Sequence, residues 1–231
     1  MKILAIIPAR GGSKRIPKKN IKEFCGRPVI AWPIGAALRS RCFDEVMVST
    51  DSEEIAAVAR EYGAGVPFMR SAKAADDYAT TADVLLEVLD EYERRGCRFD
   101  AVACIYATAP FIREYRLREA CRLLESGMCE SAFTCVEYSY PVQRGLRVCS
   151  DGMVRMRFPE YSSARSQDLE PTYHDAGQFY VCTVESLRRD RSLWGQETRP
   201  IVLPELEVQD LDTETDWKLA EMKYEIMKFP H

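Results

Sequence analysis

Short apolar runs alternate along this chain with stretches in which apolar positions recur every three or four residues. Residues 3–7, Ile-Leu-Ala-Ile-Ile, are unbroken, β-branched and too few for a helix, which predicts a strand buried on both faces. A polar loop follows, and Pro28 then opens a helix predicted over 28–40 with Val29, Trp32, Ile34, Ala37 and Leu38 on its apolar face. Glu-Val-Met-Val-Ser at 45–49 reads as a second strand. Thr50-Asp51-Ser52-Glu53-Glu54 after it reads as a capped helix start with acids in the first turn. The pattern goes on with an extended piece at 66–68, a helix over 82–95, a strand at 101–106 and a helix over 116–126. That last helix carries Leu117, Ala120, Cys121 and Leu124 inward and is closed by Gly127; a strand at 131–138 follows it.

Strands alternating with helices predict a mainly parallel, Rossmann-like sheet flanked by helices, with ligands taken up outside the carboxyl ends of the strands. From 139 to 172 the alternation stops. Residues 147–157 alternate around Asp151-Gly152, a hairpin signal, and 159–167 are polar and aromatic. This segment reads as a small β-containing excursion, a lid or a dimerisation arm, embedded in one α/β domain over 1–231. Strands are predicted again at 177–184 and at 201–208, the latter interrupted by Pro204 and so placed near an edge, before a last helix over 213–227.

Composition narrows the function classes. Apolar residues make up 46% and charged residues 29% of 231, ordinary for a globular protein. With 36 acids against 32 bases, the net charge of −4 argues against a general nucleic-acid surface, so any anion binding must be local. Nine cysteines form no Cys-x-x-Cys pair and no cluster with the two histidines, which reads as reduced thiols in a cytoplasmic protein and against zinc. No apolar run approaches membrane-spanning length and no signal-peptide pattern stands at the start, so a membrane location is not expected.

Against that acidic background, residues 8–20, Pro-Ala-Arg-Gly-Gly-Ser-Lys-Arg-Ile-Pro-Lys-Lys-Asn, stand out. They hold Arg10, Lys14, Arg15, Lys18 and Lys19, and no acid. Gly11 and Gly12 allow unusual backbone conformations and close approach of N–H groups to a ligand, so the loop suits a polyanion, the alternative being a solvated basic loop. A P-loop is excluded, because Ser13 precedes Lys14 and no glycine stands at the required upstream position; a Gly-x-Gly-x-x-Gly fingerprint is also missing. Near the other end, Asp210-Leu211-Asp212 lies between a strand and a helix. In an extended segment the two carboxylates share a face and suit a hard divalent cation, Mg2+ above all. The alternative is that Asp212 merely caps the last helix. A third cluster, Arg165-Ser166-Gln167-Asp168 with residues 173–180, Tyr-His-Asp-Ala-Gly-Gln-Phe-Tyr, offers a cation for a carboxylate and polar and aromatic groups for a carbohydrate, or else simple packing.

Residues 8–14, Pro-Ala-Arg-Gly-Gly-Ser-Lys, with Pro17, Lys19 and Asn20, then Ser49-Thr50-Asp51, then Asp210-Leu211-Asp212-Thr213, resemble the synthetases of CMP-activated acidic sugars, the cytidylyltransferases. The resemblance spans nearly the whole chain. Residues 106–111, Tyr-Ala-Thr-Ala-Pro-Phe, together with 165–168 and 173–180, look like the pseudaminic acid branch, whereas the sialic acid branch more usually has Gln-Pro-Thr and Arg-Pro-Asn-Gly there. Tyr106 stands where the sialic branch has glutamine, and Val181 where the pseudaminic branch is expected to have tryptophan. The resemblance implies that Arg10, Gly11, Gly12, Ser13, Lys14 and Lys19 hold a CTP triphosphate and that Asn20, Arg70, Ala79 and Thr81 surround cytosine and ribose. It implies Mg2+ on Asp210 and Asp212, and an acidic nine-carbon sugar met by Tyr106, Arg165, Gln167, His174, Asp175 and Gln178. Arg10, Lys14, Lys19, Asp210 and Asp212 would carry catalysis. It also implies a homodimer whose 139–172 excursion reaches the partner's site. The expected reaction is CMP transfer from CTP to a nonulosonic acid. Rival expectations are a sialic or octulosonic acid synthetase, a metal-dependent glycosyltransferase with its own Asp-x-Asp, and a non-catalytic nucleotide-binding module.

Overall fold

A computed structural model describes residues 1–13, 15–72, 74 and 79–228. Strand β1 (Ile3–Pro8) is buried from Ile3 to Ile7, and its side chains divide by alternation. Ile3, Ala5 and Ile7 join one core cluster, while Leu4 and Ile6 join another on the opposite face. A short antiparallel ribbon follows, β2 (Glu23–Phe24) with β3 (Arg27–Pro28), before helix α1 (Ala31–Ser40). Pro28 therefore does not open the helix as expected. It pairs with Glu23, and the helix starts three residues later, where Pro33 falls in the first turn and its missing N–H is not needed.

The chain continues through β4 (Glu45–Ser49), α2 (Glu53–Glu61), α3 (Thr81–Arg94), β5 (Ala101–Ile105), α4 (Glu114–Glu125) and β6 (Ser131–Glu137). Ser52 caps α2, and Thr80 with Asp83 forms a reciprocal capping box on α3, so both helix starts have a side-chain cause. After a small hairpin, β7 (Leu146–Val148) and β8 (Val154–Met156), come β9 (Tyr173–Thr183), α5 (Val184–Asp190), β10 (Thr198–Leu203) and α6 (Glu214–Lys228).

Six strands form the main sheet in the order β10-β6-β9-β5-β1-β4, all parallel except β9. Strand β10 is at the edge, as the proline suggested; the strand ends at Leu203 and a single 3-10 turn at Glu205–Glu207 replaces the rest of the expected 201–208 segment. Strand β9 begins at Tyr173, four residues before the expected start. Because β9 runs against its neighbours, its first residues lie at the edge where β1, β4, β5, β6 and β10 end, with Tyr173 opposite Glu137. That edge collects the loop after β1, Thr50 to Ser52, Tyr106 to Thr108 and the segment through Asp212. Residues between β6 and β9 leave the sheet, and their hairpin pairs Leu146 with Met156 and Val148 with Val154.

Candidate active site

The loop after β1 is fastened to the sheet edge by main-chain and side-chain bonds. Ala9 N donates to the Ser49 carbonyl at 2.9 Å, Gly11 N to the Asp51 carboxylate at 2.8 Å, and the Asn20 amide to the Arg10 carbonyl at 2.9 Å. Neither Gly11 nor Gly12 has a positive φ, so the expected conformational role does not apply to them. Gly11 is instead favoured by proximity, since a Cβ there would stand 3.2 Å from the Ser52 Cβ, which would have to give by a few tenths of an ångström; at Gly12 a Cβ would meet nothing within 4 Å. Lys14 lies outside the described residues.

Beside this loop opens a cavity of about 540 Å³. Arg10, Ser13, Lys19, Asn20, Arg70, Ala79, Thr81 and Tyr106 all line it, bringing together eight of the residues expected to meet nucleotide or sugar. Arg15, a cation of the expected polyanion loop, lines it as well, as do Ile16, Val84, Ala107 and Thr108, which were not among the expected site residues. Arg70 is the buried cation among the lining residues. Its Nε donates to Ser49 Oγ at 3.0 Å and its Nη2 to the Ser49 carbonyl at 2.6 Å. Burial pulls its pKa below the ordinary guanidinium value while Asp51 and Glu87 act to hold it up. The Ser49-Thr50-Asp51 motif thus gains a physical meaning: Ser49 holds the Arg70 side chain, the Thr50 carbonyl accepts Arg70 N at 2.8 Å, and Asp51 holds Gly11.

An Arg70→Lys substitution keeps the charge but cannot reproduce the planar fork, leaving a buried acceptor unpaired. It is expected to lower unfolding stability by about 1–3 kcal/mol, read from urea denaturation midpoints. An unchanged midpoint would show that the fork contributes nothing.

Asp210-Leu211-Asp212 spans the gap between β10 and α6. Leu211 is fully buried in an aromatic cluster with Phe24, Phe111 and Trp217, which turns its two neighbours the other way, toward the basic loop. Asp212 receives Arg15 Nη1 at 2.7 Å and Lys19 Nζ at 3.2 Å, contacts between residues nearly two hundred positions apart. It does not cap α6. Thr213 and Asp216 do so, through Asp216 N to Thr213 Oγ1 at 3.2 Å and Thr213 N to Asp216 Oδ2 at 2.8 Å. Burial and the nearby Asp212 hold the Asp210 carboxyl above its usual range, only partly offset by Lys19. Two carboxylates that repel each other beside a cationic loop are a donor set that fits Mg2+, which needs few protein oxygens and completes its shell with water and phosphate. Among the described residues there is no group of three or more His, Cys, Asp or Glu suited to a metal.

The residues expected to meet a sugar divide. Asp175 is at the sheet edge with both carboxylate oxygens engaged, by Gly177 N at 2.8 Å and by the Tyr180 hydroxyl. His174 packs against Tyr138 with ring centroids 4.7 Å apart, and its Nδ1 lies 2.9 Å from the Asp175 carbonyl. Gln178 is buried; its side-chain amide donates to the Glu207 carbonyl, and its main-chain carbonyl accepts Tyr106 N at 2.9 Å, a bond of the sheet backbone. Arg165 and Gln167 lie in the excursion and do not line the cavity. Arg165 pairs with Asp168 at 2.8 Å, and Gln167 lines a separate pocket with Tyr138 and Glu170. Val181 is fully buried in the core, so that departure from the pseudaminic pattern concerns packing. Tyr180 belongs to the 173–180 cluster expected to meet a carbohydrate but had no role of its own there, because one more aromatic in a strand carries no signal by itself.

A family model described as cytidylyltransferase matches residues 4–145. The chain is 39% identical over 226 residues to the pseudaminic acid cytidylyltransferase of Campylobacter jejuni, covering 98% of this chain and 97% of that one. It is 34% identical over 234 residues to the CMP-N,N'-diacetyllegionaminic acid synthase of Legionella pneumophila, covering 98% and 97%. Among solved structures, a CMP:2-keto-3-deoxy-manno-octonic acid synthetase complexed with CTP superposes with a TM-score of 0.69 at 19% identity, covering 99% of each chain; it shares the fold.

Proposed function

The chain belongs to the cytidylyltransferase family, and from that premise we propose that it transfers CMP from CTP to the anomeric hydroxyl of a nonulosonic acid, pseudaminic acid first. The observation that supports this most is the contact of Asp212 with Arg15 and Lys19, two cations that line the cavity, which joins the polyanion loop to the paired carboxylates. In the reaction the sugar hydroxyl oxygen forms a bond to the α-phosphorus, the bond from that phosphorus to the bridging oxygen breaks, pyrophosphate leaves with the electron pair, and the hydroxyl proton passes to solvent.

Arg10, Ser13, Lys14 and Lys19 neutralise the triphosphate in this reading, and Asn20, Arg70, Ala79 and Thr81 surround the nucleoside. Positioning and charge neutralisation of this kind supply most of the rate in phosphoryl chemistry, so no covalent nucleophile is needed. Asp210 and Asp212 are the residues that would hold Mg2+; bound there, the ion would offset triphosphate charge and lower the pKa of a coordinated hydroxyl. Arg165 is proposed to meet the sugar carboxylate, in a position it reaches only from a second copy of the chain, since its own copy keeps it away from the cavity.

That assignment ties function to a homodimer. The β7–β8 hairpin supports it by exposing Leu146, Val148, Met153 and Val154 together, with Val148 at 78% exposure. Val148→Asp with Val154→Asp is expected to shift the mass in light scattering from dimer toward monomer and to lower turnover in parallel. A dimer that survives both changes would remove the arm from the interface. We also infer a cytoplasmic location, supported by nine cysteines that are all free thiols; among the described residues no helix is long and apolar enough to cross a membrane. The deciding experiment incubates the protein with CTP, Mg2+ and, in turn, pseudaminic, legionaminic, sialic and octulosonic acids, and follows pyrophosphate release. Fastest release with pseudaminic acid is expected. Release with none would overturn the reading.

A further inference from the structure

Residues 175 and 180 are five apart, and in a regular strand they would point to opposite faces. In β9 they meet. Phe179 and Val181 join the core cluster on one side of the sheet, and so does Ala176, while Tyr180 and Cys182 join the other. The alternation is therefore broken between Ala176 and Phe179. The break coincides with a register shift against β6, whose Phe133 is opposite Tyr180 while Cys135 is already opposite Asp175. Gly177 is there with φ +61°, a conformation that favours glycine, and its N–H closes a turn onto Asp175 Oδ1 at 2.8 Å. This bulge re-aims the Asp175 carboxylate so that Tyr180 reaches its second oxygen.

Tyr180 itself has little freedom. It is 5% exposed, and the Phe133 ring stacks on it at 5.9 Å between centroids with an interplanar angle of 5°. Tyr106, at the cavity wall, packs against it with centroids 5.6 Å apart. Tyr180 thus stands between a ring of the cavity wall and an exposed carboxylate with both of its oxygens engaged.

We propose that Tyr180 is a positioning residue for the second substrate: its hydroxyl holds the Asp175 carboxylate at the sheet edge as a fixed acceptor for a hydroxyl or amide hydrogen of the acidic sugar. The inference rests on the nucleotidyl-transfer reading. A carboxylate held by two donors presents its remaining lone pairs in one direction, which discriminates among polyhydroxyl stereochemistries better than a freely rotating one. A main-chain bond from Tyr106 N to the carbonyl of residue 178 fixes the backbone that carries the Tyr106 ring beside Tyr180.

Tyr180→Phe is expected to raise KM for the accepted acid about tenfold, the worth of one hydrogen bond to a charged group, while the CTP Kd from calorimetry stays within about twofold. Asp175→Asn should do the same, and the double variant should be no worse than either single one, because both break one contact. A wild-type KM in Tyr180→Phe, or a CTP Kd that rises in step with KM, would overturn the proposal. If the wild type turns over no acid, the function reading fails by itself, and a second measurement still decides this one. Burial and Asp175 together push the Tyr180 phenol up. In protein carrying ¹³Cζ-tyrosine, Asp175→Asn should let that resonance titrate at lower pH than in the wild type, and an unchanged titration would show that Tyr180 does not hold Asp175.

Discussion

Asp212→Ala is expected to cut pyrophosphate release by about 100-fold or more, with Asp210→Ala close behind, while both proteins keep their fold. The reasoning starts from charge. Arg15 and Lys19 are brought to Asp212 at 2.7 and 3.2 Å, and removing that carboxylate leaves two cations without the partner that orients them. It also removes half of the proposed Mg2+ donor set. Asp210 loses a repulsive neighbour at the same time, so its carboxyl should return toward its ordinary range in Asp212→Ala. Folding should be little affected, because Leu211 stays anchored and Thr213 and Asp216 cap α6 without help from Asp212. Turnover near wild type in both variants, measured with saturating CTP and Mg2+, would sink the metal assignment. Circular dichroism on the same samples separates lost chemistry from lost structure.

What could be read from the chain without coordinates follows from how local each cause is. Strands β1 and β5 announce themselves because burial on both faces demands unbroken apolar residues, and each has five of them in a row. The start of α2 is legible because Ser52 and the acids behind it act on the next turn only. Pro28 misled because proline suits the first helical turn and an edge ribbon equally, and its partner Glu23 is chosen by the loop's path. The early start of β9 was hidden for a related reason: Tyr173 to Asp175 pair with β6 across some forty residues, and a bulge at Gly177 spoils the alternation that would have marked them. At the site, the basic loop and Asp210-Leu211-Asp212 were visible as charges out of keeping with their surroundings. Their meeting was expected from the family resemblance and not from either segment alone, since it depends on Leu211 being turned inward. The partners of Arg70 and the Asp175–Tyr180 contact depend on sheet topology alone and leave no mark on the sequence.

The side chain that makes this meeting possible is Phe24, and its loss should be the most damaging apolar substitution in the loop region. Phe24 is fully buried, with Trp32, Phe111, Trp217 and Tyr224 arranged edge-on around it at centroid distances of 5.9 to 6.1 Å. Two of those rings belong to α6, one to α1 and one to the segment after β5, so a single side chain seats the last helix against three other parts of the chain. Lys22 adds to the same seat, over the Trp217 ring at 4.6 Å and paired with Glu214 at 2.7 Å. Phe24→Ala removes the hub and leaves a cavity bounded by large rings that cannot collapse into it. The expected cost is about 3–5 kcal/mol, a large share of the roughly 5–15 kcal/mol available to a domain. Function should suffer beyond stability, because Leu211 shares this cluster and an unseated α6 lets both carboxylates drift from Arg15 and Lys19. Phe24→Leu, which keeps much of the apolar volume, should lose less of both. Urea unfolding gives the first quantity, and pyrophosphate release at a temperature where the variant is still folded gives the second. A stability loss under about 1 kcal/mol in Phe24→Ala would mean that the ring cluster closes without its centre. Lost stability with fully retained turnover would mean that the carboxylates are held in place by the loop cations alone.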